Sequence, residues 1–303
     1  MSPDELIIID ALPKETYDKI IVEALDYALL SVAFTYDRMK KKDVKTRISN
    51  IVKGKIAEGI FYAFCRANHI PIETDNCSTP FYLPDHRDFL FLRGEWDLKN
   101  NFYYPEENKT NYAPEIHLPC LIPDSFIGDQ WTKRNKHYFP DTTFVGFVFS
   151  FMPLKSDESF FELNFSNAQL KFIDDISGHF RYAMSSAMPV NEKWFKDKMS
   201  SICESEVITC KYYPPLVITG CANLRYWNLF SNVGPQSDDQ MYLNHIHPAY
   251  YQHSGNVVKY MGGCLVTTIQ NKMCPVSDLP SFLSINPSLK SNIHFGRVGR
   301  ATH

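Results

Sequence analysis

Between Asp88 and Phe102 the chain reads Asp-Phe-Leu-Phe-Leu-Arg-Gly-Glu-Trp-Asp-Leu-Lys-Asn-Asn-Phe. An apolar run, a glycine and an alternating apolar/charged stretch predict a β-hairpin with its tight connection centred on Arg93-Gly94. Alternate residues of a strand share a face. Glu95, Asp97 and Lys99 therefore point one way, and Trp96 and Leu98 point the other way, into a core. A hairpin of this length returns Asp88 to the neighbourhood of Asp97 and Lys99. Two carboxylates and an ammonium then meet at one end of an apolar element, and burying such charges without compensation costs roughly several kcal/mol per ion. A surface hairpin with a cross-strand salt bridge is one resolution. A divalent cation is the other: Mg²⁺ favours hard oxygen ligands and binds through one or two carboxylates together with substrate phosphate.

The flanking sequence supplies more elements. Apolar residues at helical spacing predict a helix over 14–39 and a second over 44–67, the latter ending at His69-Ile70-Pro71. A positive run, Arg38, Lys40, Lys41, Lys42, Lys45, Arg47, Lys53 and Lys55, lies along and between them. Charge runs usually mark a solvated helix face, and phosphate contact is the functional alternative. After the hairpin, Pro105, Pro114, Pro119 and Pro123 punctuate an expected irregular excursion. A helix is expected over 125–138 and a buried strand over 142–152 (TTFVGFVFSFM). Further on, 191–203 looks helical, and 216–219 and 264–269 look like strands.

The string from Asp88 to Lys99 resembles the D-x(n)-(D/E)-x-K signature of the PD-(D/E)XK nuclease superfamily, whose best-known members are type II restriction endonucleases. Upstream, Gly54-Lys-Ile-Ala-Glu58-Gly-Ile-Phe resembles the first core helix of that family, which often presents a glutamate to the metal site. The family core is a helix, a three-strand meander, a helix and a further strand, here helix 44–67, strands around 80–102, helix 125–138 and strand 142–152. The resemblance covers about the first half of the chain. It implies an α/β fold with a restriction-endonuclease-like core, a central mixed sheet flanked by helices, followed by a C-terminal extension of mixed α+β character. Residues 1–152 would hold the N-terminal helices and catalytic core. Residues 153–303 would complete the core and supply DNA recognition and dimer contacts, in a separate unit or in one compact domain with the first.

On the same basis the catalytic set is Asp88, Asp97, Lys99 and Glu58. The metal would be Mg²⁺, with Mn²⁺ as substitute, held by Asp88, Asp97, the Leu98 carbonyl and Glu58. Asp85 of the literal Pro84-Asp85 competes with Asp88 as first acidic ligand. Asp88 is preferred because it directly precedes the apolar strand, and Glu95 is an auxiliary ligand candidate. Lys53, Lys55, Gln130 and Lys133 are candidates for DNA contact. The implied activity is sequence-specific cleavage of double-stranded DNA by a homodimer, leaving 5′-phosphate and 3′-hydroxyl ends. A nuclease of the same kind in repair, phage defence or RNA cleavage, or an inactive nucleic-acid-binding protein, are the alternatives.

Composition narrows the partners without choosing one. A net charge of −3 over 303 residues excludes blanket basicity, so nucleic acid must be met by local positive patches. The eight cysteines contain no C-x-x-C pair. With no basic, apolar leader at the start, free thiols in a cytoplasmic protein are the expectation. No apolar run is long enough for a membrane span, and no Walker-type glycine loop points to a nucleotide cofactor. His245, His247 and His253 invite a zinc reading but lack a companion pair at a recognised spacing.

Overall fold

The computed structural model describes residues 1–34, 43–75, 77, 87–103, 114–125, 128–129, 145–155, 159–180, 197–198, 207–235, 241–243, 251–254, 257–260, 263–266 and 271–299. Both N-terminal helices form where the apolar spacing places them, as α1 (Lys14–Phe34) and α2 (Val44–Ala67). Asp43 caps α2, its carboxylate accepting the Thr46 N–H at 2.7 Å and so satisfying one of the free donors of the first turn. At the other end His69 adopts a left-handed backbone with φ 55°, and the Ile70 N–H returns to the Cys65 carbonyl at 2.9 Å. Gly59 lets the two helices pack closely, since a Cβ there would meet Ile20 Cγ2 at 2.5 Å.

The hairpin forms from β2 (Phe89–Phe91) and β3 (Gly94–Tyr103), but its connection is Leu92-Arg93 rather than Arg93-Gly94. Leu92 and Arg93 both take positive φ, 49° and 62°, the backbone a two-residue mirror-image turn requires. Gly94 instead opens β3 and pairs with Phe91. Trp96 settles this register: its indole N–H donates to the Phe91 carbonyl at 2.7 Å. Its ring also lies over Gly146, where any Cβ would come within 2.6 Å.

A mixed six-stranded sheet is built around this hairpin. β3 pairs in parallel with β6 (Val145–Pro153), and β6 pairs antiparallel with β9 (Leu216–Asn223). β9 is followed by β1 (Ile7–Ile9) and β16 (Gly296–Val298), both antiparallel. Strands from both ends of the sequence thus share one sheet, so the described elements of 1–152 and 153–303 are interleaved. One face carries Trp96, Leu98, Val148, Met152 and Ile218 against α1 and α2. The opposite face carries Tyr103, Phe147, Phe149 and Phe151 against Cys120, Ile122, Met273 and Cys274. Those partners lie on β4 (Pro119–Ser125) and β15 (Asn271–Pro275) of a second sheet. The result is α/β: helices on one side of a mixed sheet and further strands on the other.

Four expectations change. No third meander strand occurs among the described residues, since the second neighbour of β3 is the parallel β6. The proline-punctuated stretch is not wholly irregular. β4 spans Pro119 to Ser125 because Cys120 and Ile122 supply buried side chains for the second sheet. The stretch 125–138 does not begin as a helix: Ser125 ends β4 and pairs with Gly128 of β5 (Gly128–Asp129), and the remainder lies outside the described residues. Finally, an unexpected helix, α3 (Asn167–Phe180), packs on α1. Ser166 and Gln169 start it with reciprocal backbone hydrogen bonds of 2.9 and 3.1 Å, a capping box. The expected helix over 191–203 lies outside the described residues except for a helical 197–198. No described helix is long and apolar enough to cross a membrane.

The hairpin turn yields a stability prediction. Left-handed backbone at a non-glycine residue costs of order 1 kcal/mol, and Leu92 is exposed, with no core packing to lose. Replacing Leu92-Arg93 by Asn-Gly should stabilise the protein by about 1 kcal/mol, read as a higher urea midpoint at unchanged slope. A lower midpoint would contradict this turn.

Candidate active site

The pairing Phe89↔Trp96 places Asp88 opposite Asp97, one step beyond the end of β2. The Asp88 backbone N–H donates to the Trp96 carbonyl at 3.0 Å. Its Oδ2 accepts the Leu98 N–H at 2.7 Å, so the side chain continues the ladder where the backbone pairing stops. The Asp97 carboxylate lies near enough to Asp88 to raise its pKa, and a hydrogen bond between the two carboxyls would need one of them to be protonated. Lys99, two residues along the same face as Asp97, forms an ion pair with it. The Lys99 ammonium also lies 5.5 Å from the centroid of the Phe147 ring.

Helix α2 contributes from the other side of the hairpin. Glu58 is paired with Lys55 at 2.6 Å, and both act electrostatically on Asp88. Tyr62, one turn further, donates its hydroxyl to the Asp88 carbonyl at 2.9 Å. The spacing is helical: positions 55, 58 and 62 occupy one stripe of α2. The structure therefore brings together Asp88, Asp97, Lys99 and Glu58, and adds Lys55 and Tyr62. Tyr62 was not singled out from the sequence. An aromatic residue at core spacing carries no mark that its hydroxyl ends on the backbone of an acid 26 residues away.

Desolvation is the main cause that pushes the Asp88 carboxyl well above the usual carboxylate range. The negative charges of Asp97 and Glu58 add to it, and Lys55 opposes it. Burial likewise drives the Tyr62 hydroxyl far up, so it stays protonated and remains a donor to Asp88. Glu95, the auxiliary candidate, is wholly buried, and one of its oxygens is taken by Arg87. Its Oε2 has no hydrogen-bond partner among the described residues.

Of the residues expected to meet DNA, Lys53 packs its ammonium 5.6 Å from the Phe102 ring centroid, and burial lowers its pKa. Lys55 faces Glu58 and the Tyr27 ring, 4.4 Å from the centroid. Arg47 is buried, so the positive run is not uniformly a solvated face. Arg38, Lys40, Lys41 and Lys42, Gln130, Lys133, Asp85, His245 and His247 lie outside the described residues, as does the His253 side chain.

The acids do not by themselves complete a metal cage: no group of three or more His, Cys, Asp or Glu with ligand geometry occurs among the described residues. A carboxyl pair does fit a cation that keeps most of its waters. Burial and the neighbouring charges of Asp97 and Glu58 raise the Asp88 pKa, and a cation placed there would offset that negative charge.

The raised pKa of Asp88 fixes a pH dependence. Because the folded form binds this proton more tightly than the unfolded chain, the associated stability is complete below the ordinary aspartate pKa of about 4 and is lost as pH rises through the higher folded value. In EDTA, Asp88→Asn should remove that loss, so its stability relative to wild type should increase from pH 4 upward. Parallel pH profiles in urea denaturation would contradict the raised Asp88 pKa. None of the protein-family models, curated proteins or solved structures compared with this chain matches it.

Proposed function

We propose that the protein is a Mg²⁺-dependent endonuclease of the PD-(D/E)XK kind, with a restriction-endonuclease-like core, cleaving double-stranded DNA at specific sequences. One observation carries this reading: Asp88, Asp97 and Lys99 meet across a single hairpin, with Glu58 of the preceding helix beside them. Asp88, Asp97 and the Leu98 carbonyl would hold the cation, with Glu58 orienting a water of its hydration shell rather than joining as a third acidic ligand. Mg²⁺ (or Mn²⁺) bound there would supply Lewis-acid stabilisation of charge on the phosphoryl oxygens.

The remaining work falls to the chain's own groups. The Leu98 N–H fixes the orientation of the Asp88 carboxylate. Lys99, tethered by Asp97, presents an ammonium that orients the attacking water and stabilises charge developing on the phosphoryl group. Lys55 offsets the charge of Glu58, which limits repulsion within the acid group. In-line attack by water then leaves a 5′-phosphate and a 3′-hydroxyl. With one such centre per chain, cutting both strands calls for a homodimer facing a palindrome.

The test is cleavage of long duplex DNA with Mg²⁺. Lys99→Ala should lower cleavage by roughly 10²–10³-fold, the usual effect of removing one group that stabilises transition-state charge. Asp97→Asn should abolish it, with circular dichroism unchanged. Full activity in both variants rules out this centre. Discrete plasmid bands indicate sequence specificity, whereas a smear indicates a repair or defence nuclease. Binding without cleavage across Mg²⁺, Mn²⁺ and an RNA substrate indicates a binding protein.

A further inference from the structure

Beside the acid group lies an open cleft of about 530 Å³. One wall is the end of α2, with Tyr62, Arg66 and His69. The other is the segment 70–75, which turns back from the helix and closes the edge of β2. Glu73 and Leu90 exchange backbone hydrogen bonds there, at 2.8 and 3.0 Å. Leu90 is two residues from Asp88, and Tyr62 belongs to both places, lining the cleft while its hydroxyl holds the Asp88 carbonyl. The cleft and the acid group are thus neighbours, joined through Tyr62 and the edge of β2.

The cleft's chemistry is divided. Arg66 and His69 are exposed and enter no ion pair among the described residues. They offer planar N–H donors suited to phosphate oxygens. The opposite wall carries Glu73 and Asp75. Their carboxylates repel a phosphate but accept from the exocyclic amino groups of cytosine or adenine. Ile70, Pro71 and Ile72 supply an apolar surface between them. The volume is ample for one nucleotide and falls within the range of ordinary ligand sites.

We infer that this cleft is the subsite for the DNA nucleotide flanking the scissile phosphate, with Arg66 and His69 on its phosphate and Glu73 and Asp75 toward its base edge. The inference rests on the nuclease reading and assigns the strand's path beyond the metal centre. Arg66 and His69 are DNA-contacting residues outside the reacting group. Their loss should weaken binding without slowing the chemical step.

The experiment uses the full chain and a short fluorescein-labelled DNA duplex. Binding is measured by anisotropy in Ca²⁺ over a range of salt, and cleavage in Mg²⁺. Arg66→Gln combined with His69→Gln should raise Kd and KM roughly tenfold, leave kcat within about twofold, and lower the slope of log K against log salt by about 1–2. Simple destabilisation would not produce that change in slope. Wild-type affinity, KM and slope in the double variant would overturn the subsite while leaving the nuclease reading intact. A wild-type protein that binds the duplex through Arg66 and His69 yet never cleaves it would overturn the nuclease reading and keep the subsite. A wild-type protein that neither binds nor cleaves would overturn both.

Discussion

Two carboxyls facing each other across a hairpin are the constraint on which the rest of this structure turns. Asp88 and Asp97 cannot both carry full charge in a desolvated position without cost, and the chain meets this with a raised Asp88 pKa, the Leu98 N–H and the nearby Lys99. Each compensation needs the hairpin in one register. A slip of one residue would set Asp88 against Leu98 and move one carboxylate to the opposite face of the sheet. Trp96 prevents this, because its N–H reaches the Phe91 carbonyl across the turn and its ring fits only over a glycine at 146. The apolar half of the hairpin thereby fixes the geometry of the polar half.

The helix behind the hairpin is held by a similar close fit. Glu58 reaches the acid group only if α2 lies near the sheet while α1 lies near α2. Gly59, the next residue, is where Ile20 of α1 comes within the space of a Cβ. Tyr62 then links three things through one side chain: its ring packs on Phe61 and Phe89, its edge lines the cleft, and its hydroxyl holds the Asp88 backbone. Core packing and site geometry are thus coupled through residues that carry no charge.

What the sequence made legible follows from which signals are local. The helices expected over 14–39 and 44–67, the hairpin, the strand expected over 142–152 and the alternation of Glu95, Asp97 and Lys99 all rest on short-range periodicity, and all are present over their described residues. The turn was displaced by one residue because Gly94 looks like turn chemistry, whereas the Trp96 contacts that decide the register are tertiary. The α3 helix does have a local signal, the capping box Ser166-x-x-Gln169 before Leu170, Ile173 and Ile176. The long-range pairings had no local trace. Nothing near Ile7 says that it joins Ile218 and Val298 in one sheet, and nothing in Pro119–Ser125 says that its prolines sit beside Asn271 and Pro275.

The cleft beside Tyr62 extends the same logic from stability to recognition. On the proposed function, a metal centre of two carboxylates would bind any phosphodiester about equally, so preference for one strand path would come from groups beyond it. The chain places such groups where they need no separate support. Arg66 and His69 extend the helix that carries Glu58, and Glu73 is tied by its backbone to the strand that follows Asp88. A movement of α2 against β2 would change the acid group and the cleft together. On this reading, positioning of the nucleotide and of the reacting phosphate are mechanically a single variable, set by the contact between one helix and one hairpin.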